Sequence, residues 1–143
     1  MSISMGNIQI SHAEYYLKNG LDKLESSQYQ QASEFLEASL QNYKDLFGKI
    51  PENLETAQIY EALARISLAE GKAAQALESA MKSYKVYSKL KGHSHPDTER
   101  VLLVAQQAQE RESEMKRPGM HKRVSSYGLS YKKSPNSLPK LVF

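Results

Sequence analysis

Residues 57–80 read AQIYEALARISLAEGKAAQALESA. Ala57, Tyr60, Leu63, Ala64, Ser67 and Leu68 recur at intervals of three and four, the period of one helical face. Glu70-Gly71-Lys72 interrupts the pattern, and Ala73, Ala76, Leu77 and Ala80 resume it. The stretch therefore predicts two helices joined by a tight turn. Small residues at Ala64 and Ala76 let the two approach closely, and Tyr60 fills the space beside them.

The same pattern lies on either side at a fixed interval. Gly20, Ala64 and Ala108 are 44 residues apart, and four residues before them stand Tyr16, Tyr60 and Val104. Seven before stand Ala13, Ala57 and Val101, and twelve after stand Ala32 and Ala76. Breaks fall at Ser26-Ser27-Gln28, between Gly48 and Pro51, and between Gly92 and Pro96. Helices are expected over about 11–26, 28–47, 52–70, 73–91 and 96–116. β-Branched content is low and no Asn-Gly or Asp-Gly turn occurs, so strands are not expected. The fold class is all-α: two helical hairpins and a capping helix. Hairpins that repeat in this way cannot bury their apolar stripes alone, so neighbours stack.

Tyr16, Gly20, Tyr29, Ala32 and Leu36, and again Tyr60, Leu63, Ala64, Gly71, Ala76 and Ala80, resemble the tetratricopeptide repeat. Its usual length is about 34 residues. The longer interval here, and the linker Gly92-His93-Ser94-His95-Pro96-Asp97-Thr98, look like the extended repeats of the kinesin-light-chain type. Ser39 departs from the pattern, standing where a small Ala is usual. The resemblance implies a short α-solenoid over 11–116, preceded by an extension at 1–10. It further implies a protein–protein adaptor that takes a peptide or helix in a concave groove.

On this register the groove positions are Glu14, Leu17, Leu21 and Leu24 in the first helix, Gln58, Glu61, Arg65 and Leu68 in the third, and Leu102, Ala105 and Gln109 in the fifth. Leu17 and Leu21 stand where co-chaperones of the superfamily carry polar clamp residues, so a C-terminal-carboxylate clamp is not expected. Glu61 and Arg65, one turn apart, read as a surface i,i+4 bridge. His93, His95 and Asp97 offer three metal-ligand types. No fourth donor is near, so the cluster reads as a capped loop rather than the site of a metal-dependent enzyme. The seven tyrosines on predicted helices read as core or half-core residues.

Charge divides the chain. Residues 117–143 hold six basic and no acidic side chains, with three of the five prolines. Residues 1–116 hold 13 basic and 16 acidic ones. The basic segment lacks apolar periodicity and is expected to be disordered unless bound. Lys122, Arg123, Ser125 and Ser126 resemble a basophilic kinase substrate, and Ser134 precedes Pro135. With Lys132 and Lys133 they suit docking on an acidic assembly such as microtubules, and nucleic acid is the least favoured partner. Leu141-Val142-Phe143 has a form that PDZ grooves accept.

The chain of 143 residues has no Cys, which excludes a disulfide scaffold, a thiolate metal site and a Cys nucleophile. Mean hydropathy of −0.61 and the lack of a long apolar run argue against a spanning helix. The first residues lack the basic and apolar regions of a secretory signal and Ser2 stands where myristoylation needs Gly, so neither is expected. No Walker loop, dinucleotide fingerprint, nucleophile elbow or His-Glu-x-x-His occurs. The expectation is a non-enzyme without cofactor, cytoplasmic and associated with the cytoskeleton. The rival expectation is a structural subunit whose repeat array is completed by a partner chain or by self-association.

Overall fold

The computed structural model describes residues 5–115, and side chains from 12 onward. Five helices follow one another: α1 (Met5–Glu25), α2 (Tyr29–Phe47), α3 (Leu54–Ala69), α4 (Ala73–Lys91) and α5 (Pro96–Met115). Among the described residues there is no strand. The fold is all-helical, and the breaks fall where the sequence placed them. One boundary differs: α1 starts at Met5, so residues 5–10 continue the helix where an extension was expected. The tail positions Lys122, Arg123, Ser125, Ser126, Lys132, Lys133 and Ser134 lie outside the described residues.

Each helix end has a local cause. Asn53 Oδ1 accepts from the Thr56 amide at 2.8 Å, and Thr56 Oγ1 accepts from the Asn53 amide at 3.1 Å. This reciprocal pair caps α3 and satisfies two amides without intrahelical partners. His95 Nδ1 accepts from the Asp97 amide at 3.0 Å and so caps α5. Gly48 ends α2 at φ 82°.

The 44-residue interval holds in detail. Ser39 Oγ donates to the Ala13 carbonyl at 2.7 Å, and Ser83 Oγ donates to the Ala57 carbonyl at 2.7 Å. All four residues are fully buried. A serine at this place, Ser39 in one hairpin and Ser83 in the other, donates to a carbonyl of the facing helix in both. Each such bond contributes about 1 kcal/mol net, and leaving either buried group unpaired costs more.

Volume is exchanged at equivalent positions. In the second hairpin Ala64 faces Ala80, both wholly buried. In the first, Gly20 faces the larger Leu36. A Cβ on Gly20 would meet Leu36 Cγ at 2.7 Å and the Ala32 carbonyl at 3.3 Å. Gly20 is therefore required by close approach rather than by backbone conformation.

Two apolar clusters form. Ala13, Leu17, Ala32, Leu36 and Tyr43 gather with Ile59, Ala62 and Ile66 of α3. Ala57, Ala64 and Leu68 of α3 gather with the inner faces of α4 and α5. Only α3 contributes to both, so it joins the two units. The main packings are α1 on α2, α3 on α4 and α4 on α5. Lesser ones join α2 and α1 to α3, and α3 to α5; α1 and α5 do not meet.

The turns after α1 and α3 share one geometry. Ser27 and Gln28 donate to the carbonyls of Leu24 and Lys23, and Gly71 and Lys72 donate to those of Leu68 and Ser67. This is the Schellman pattern, whose pivotal residue needs positive φ. Gly71 adopts 79°; Ser27 adopts 61° and carries a Cβ into that region. Replacing Ser27→Gly is expected to raise stability by about 1 kcal/mol, roughly 4–8 °C in Tm, in thermal unfolding followed by circular dichroism. An unchanged or lower Tm would show that the Ser27 turn carries no such strain.

Candidate functional site

Glu61 occupies, in the 44-residue register, the place of Leu17 in α1 and Ala105 in α5. Both of those are buried apolar positions, and Glu61 itself is only 6% exposed. A carboxylate there requires donors on every side. Arg100 supplies two from α5, Nε at 2.5 Å and Nη2 at 2.9 Å. Tyr87 of α4 donates its hydroxyl at 3.1 Å, and Arg65 donates Nη2 from one turn along α3 at 3.1 Å.

The network continues outward. Arg100 Nη1 reaches Asp97 Oδ1 at 2.7 Å, and Lys91 Nζ reaches Asp97 Oδ2 at 2.8 Å. These two donors, Lys91 first, pull the Asp97 carboxyl down to about 2. Hydrogen bonding to Glu61, opposed by partial desolvation and aided by Asp97, holds Arg100 firmly protonated. The Tyr87 phenol is pushed up by burial first and by the Glu61 charge next. Three helices are therefore tied together by one chain of charges around a single buried carboxylate.

Two adjoining recesses open beside this network. The first, ≈ 270 Å³, lies between Leu21 and Leu24 of α1, Gln58 and Arg65 of α3, and Arg100 of α5. The second, ≈ 390 Å³, has a floor of Leu68 and Val104, a rim of Arg65, Arg100 and Arg111, and the half-exposed Leu103. Arg111 is aimed by a 3.1 Å bond from Nη1 to the Leu68 carbonyl. Arg65 and Arg100 line both, so the recesses form one continuous strip. No carboxylate lines the second recess. The strip can thus take apolar side chains on its floor and anionic groups at its arginine rim.

Most of the expected groove residues fall on this strip: Leu21, Leu24, Gln58, Glu61, Arg65 and Leu68. Leu17 does not. It is 6% exposed and belongs to the core between α1, α2 and α3. Ala105 is likewise fully buried, and Leu102 and Gln109 are half-buried and line neither recess. α5 buries Val101, Ala105 and Ala108, the register equivalents of the buried Ala57, Glu61 and Ala64. The recess takes the side of α5 that carries Arg100, Leu103, Gln107 and Arg111, not the one that carries Leu102 and Gln109.

The Glu61–Arg65 pair exists at 3.1 Å, but it is no surface bridge: the Glu61 side chain is 8% exposed and Arg100 is its bidentate partner. The sequence carried one unused signal, an acidic residue at a register position that is apolar in both other repeats. The His-Asp cluster does not converge. His93 Nδ1 lies 3.3 Å from the Tyr84 hydroxyl, while His95 Nδ1 is occupied by its capping bond. Among the described residues no group of three His, Asp or Glu could hold a metal ion.

No protein-family model, curated protein or solved structure matches this chain.

Arg100→Met would leave Glu61 buried with incomplete pairing, a loss of about 3–5 kcal/mol. Adding Glu61→Leu, which restores the apolar residue found at Leu17, is expected to recover a large part of that loss in urea unfolding. A double variant as unstable as the single one would contradict this account. Tyr43, the register equivalent of Tyr87, is pushed up to about 12, by burial first and then by Glu55 and Glu14. The folded protein keeps both phenolic protons at pH values where the unfolded chain, near its ordinary 10.0, releases them. Their stabilisation is complete below about 10 and is lost as pH rises toward about 12, so urea midpoints should fall over that window and fall less for Tyr43→Phe.

Proposed function

We propose that this protein is a non-catalytic interaction module of the tetratricopeptide kind, a short α-solenoid acting as an adaptor. Its ligand is an extended or helical segment that carries carboxylates beside apolar side chains. The observation that carries this reading is the α3–α5 strip: an apolar floor of Leu68 and Val104 edged by Arg65, Arg100 and Arg111.

Several features support it. The buried Glu61 holds Arg100 in a fixed orientation through two bonds, which lowers the ordering cost of presenting a guanidinium. Equivalent serine bonds in the two hairpins support a repeat architecture, as does the chain of nearest-neighbour packings. The exposed Leu103 offers apolar area that the fold itself does not use. No described helix is long and apolar enough to cross a membrane. The basic segment 117–143 is a second attachment point in this reading, suited to an acidic assembly in the cytoplasm or on the cytoskeleton.

The test uses fluorescein-labelled peptides of alternating Leu and Glu, against the same peptides with Lys for Glu. Fluorescence anisotropy should show binding of the acidic set alone. Leu103→Glu and Arg111→Glu each should weaken it at least tenfold while helicity is retained. Equal binding of both peptide sets, or variants that bind as wild type does, would overturn the reading.

A further inference from the structure

The second recess of the strip holds more positive charge than the fold answers. Arg65, Arg100 and Arg111 line it around Leu68, Leu103 and Val104, in ≈ 390 Å³, and no carboxylate does. Glu61 and Asp97, which are not among its lining residues, pair with Arg65 and Arg100. Arg111 forms no ion pair among the described residues. Its guanidinium is oriented by the neutral Leu68 carbonyl, so its charge stays uncompensated while its position is fixed. A phosphate monoester, with about −1.5 to −2 charge and three acceptor oxygens, suits three guanidiniums on one rim better than a single carboxylate does.

The chain itself carries a segment of the matching kind. Met115, the last described residue, is one turn beyond Arg111 on α5. Residues 117–143 hold six basic and no acidic side chains, so the unmodified segment is repelled by the arginine rim. Within it, 124–131 read Val-Ser-Ser-Tyr-Gly-Leu-Ser-Tyr and carry no charge. Lys122 stands three residues before Ser125 and Arg123 three before Ser126, which gives the resemblance to a basophilic kinase substrate. Phosphate on these serines turns the stretch into strong anions beside the apolar Val124, Tyr127 and Leu129, the composition that the recess favours. Ser125 follows Met115 by ten residues, about 33 Å of extended chain, whereas Arg100 to Arg111 spans about 17 Å of helix. The whole strip is therefore within reach.

We infer that the strip is closed by the chain's own segment 124–131 once Ser125 and Ser126 are phosphorylated, an inference that rests on the adaptor reading for the activity it regulates. A kinase supplies each group from ATP: the serine Oγ bonds to the γ-phosphorus, ADP leaves, and the hydroxyl proton goes to the kinase's base. The phosphates meet Arg111, Arg65 and Arg100, and Val124 and Tyr127 lie over Leu68, Val104 and Leu103. An outside Leu/Glu segment then has no free rim to bind. Phosphorylation thus changes the segment from one that the arginines repel to one that they hold, and salt weakens the contact.

Two fluorescein-labelled peptides of residues 120–131, one plain and one with phosphoserine at 125 and 126, test the contact by anisotropy with the full unmodified chain. The phosphopeptide should bind at least tenfold more tightly, and Arg111→Gln should remove that preference while circular dichroism shows unchanged helicity. The full chain carrying both phosphoserines, assembled by ligating a synthetic C-terminal segment, tests closure. It should take the phosphopeptide and the Leu/Glu peptides at least tenfold more weakly than the unmodified chain does, and stay monomeric in sedimentation velocity. Plain and phosphorylated peptides that bind alike would sink the proposal, as would a phosphopeptide indifferent to Arg111. A phosphorylated chain that binds both probes as the unmodified one does would also sink it, and so would one that dimerises, since the segment would then dock on a second copy. If the Leu/Glu peptides fail on the unmodified chain while the phosphopeptide binds through Arg111, the adaptor reading falls and this contact stands.

Discussion

Helix α3 is buried on two sides, and the rest of the molecule depends on that. Ile59, Ala62 and Ile66 close the core of the first hairpin, while Ala57, Ala64 and Leu68 close the core of the second. Neither hairpin has enough apolar surface to be self-sufficient. A helix shared between two cores makes them one cooperative unit and sets the angle at which α1 and α5 stand on either side. The strip between those helices exists because α3 holds them apart.

Helix α5 packs its apolar stripe against α4 and α3 and is clamped through Arg100 to the buried Glu61. Glu61 is thus both a structural anchor and the element that fixes an arginine at the site. Desolvating a carboxylate disfavours folding unless its pairing is complete, and three helices must be in place for that. The network therefore links the geometry of the strip to the integrity of the whole helical array.

Much of the fold was legible in the chain. Helical period, glycine and proline breaks, and a 44-residue register located all five helices, because each of these signals is local. The start of α1 was misplaced, since no breaker marks it. Ser39 looked like a departure until Ser83 was seen to make the same bond. The site was legible in part. Leu21, Leu24, Gln58, Arg65 and Leu68 follow from the register, whereas Leu17 was assigned to the wrong face, and Arg100, Leu103 and Arg111 were missed.

The sequence by itself determined that the chain is helical, where its turns fall, and that a hairpin recurs. These depend on the spacing of residues along one helix. Tertiary structure alone decided which side of each helix lies beside a neighbour and which charges meet. The side of α5 that borders the strip carries Arg100, Leu103, Gln107 and Arg111, where the register had offered Leu102 and Gln109. The Glu61–Arg100 pair spans 39 residues, a separation that neither the helical period nor the 44-residue register relates.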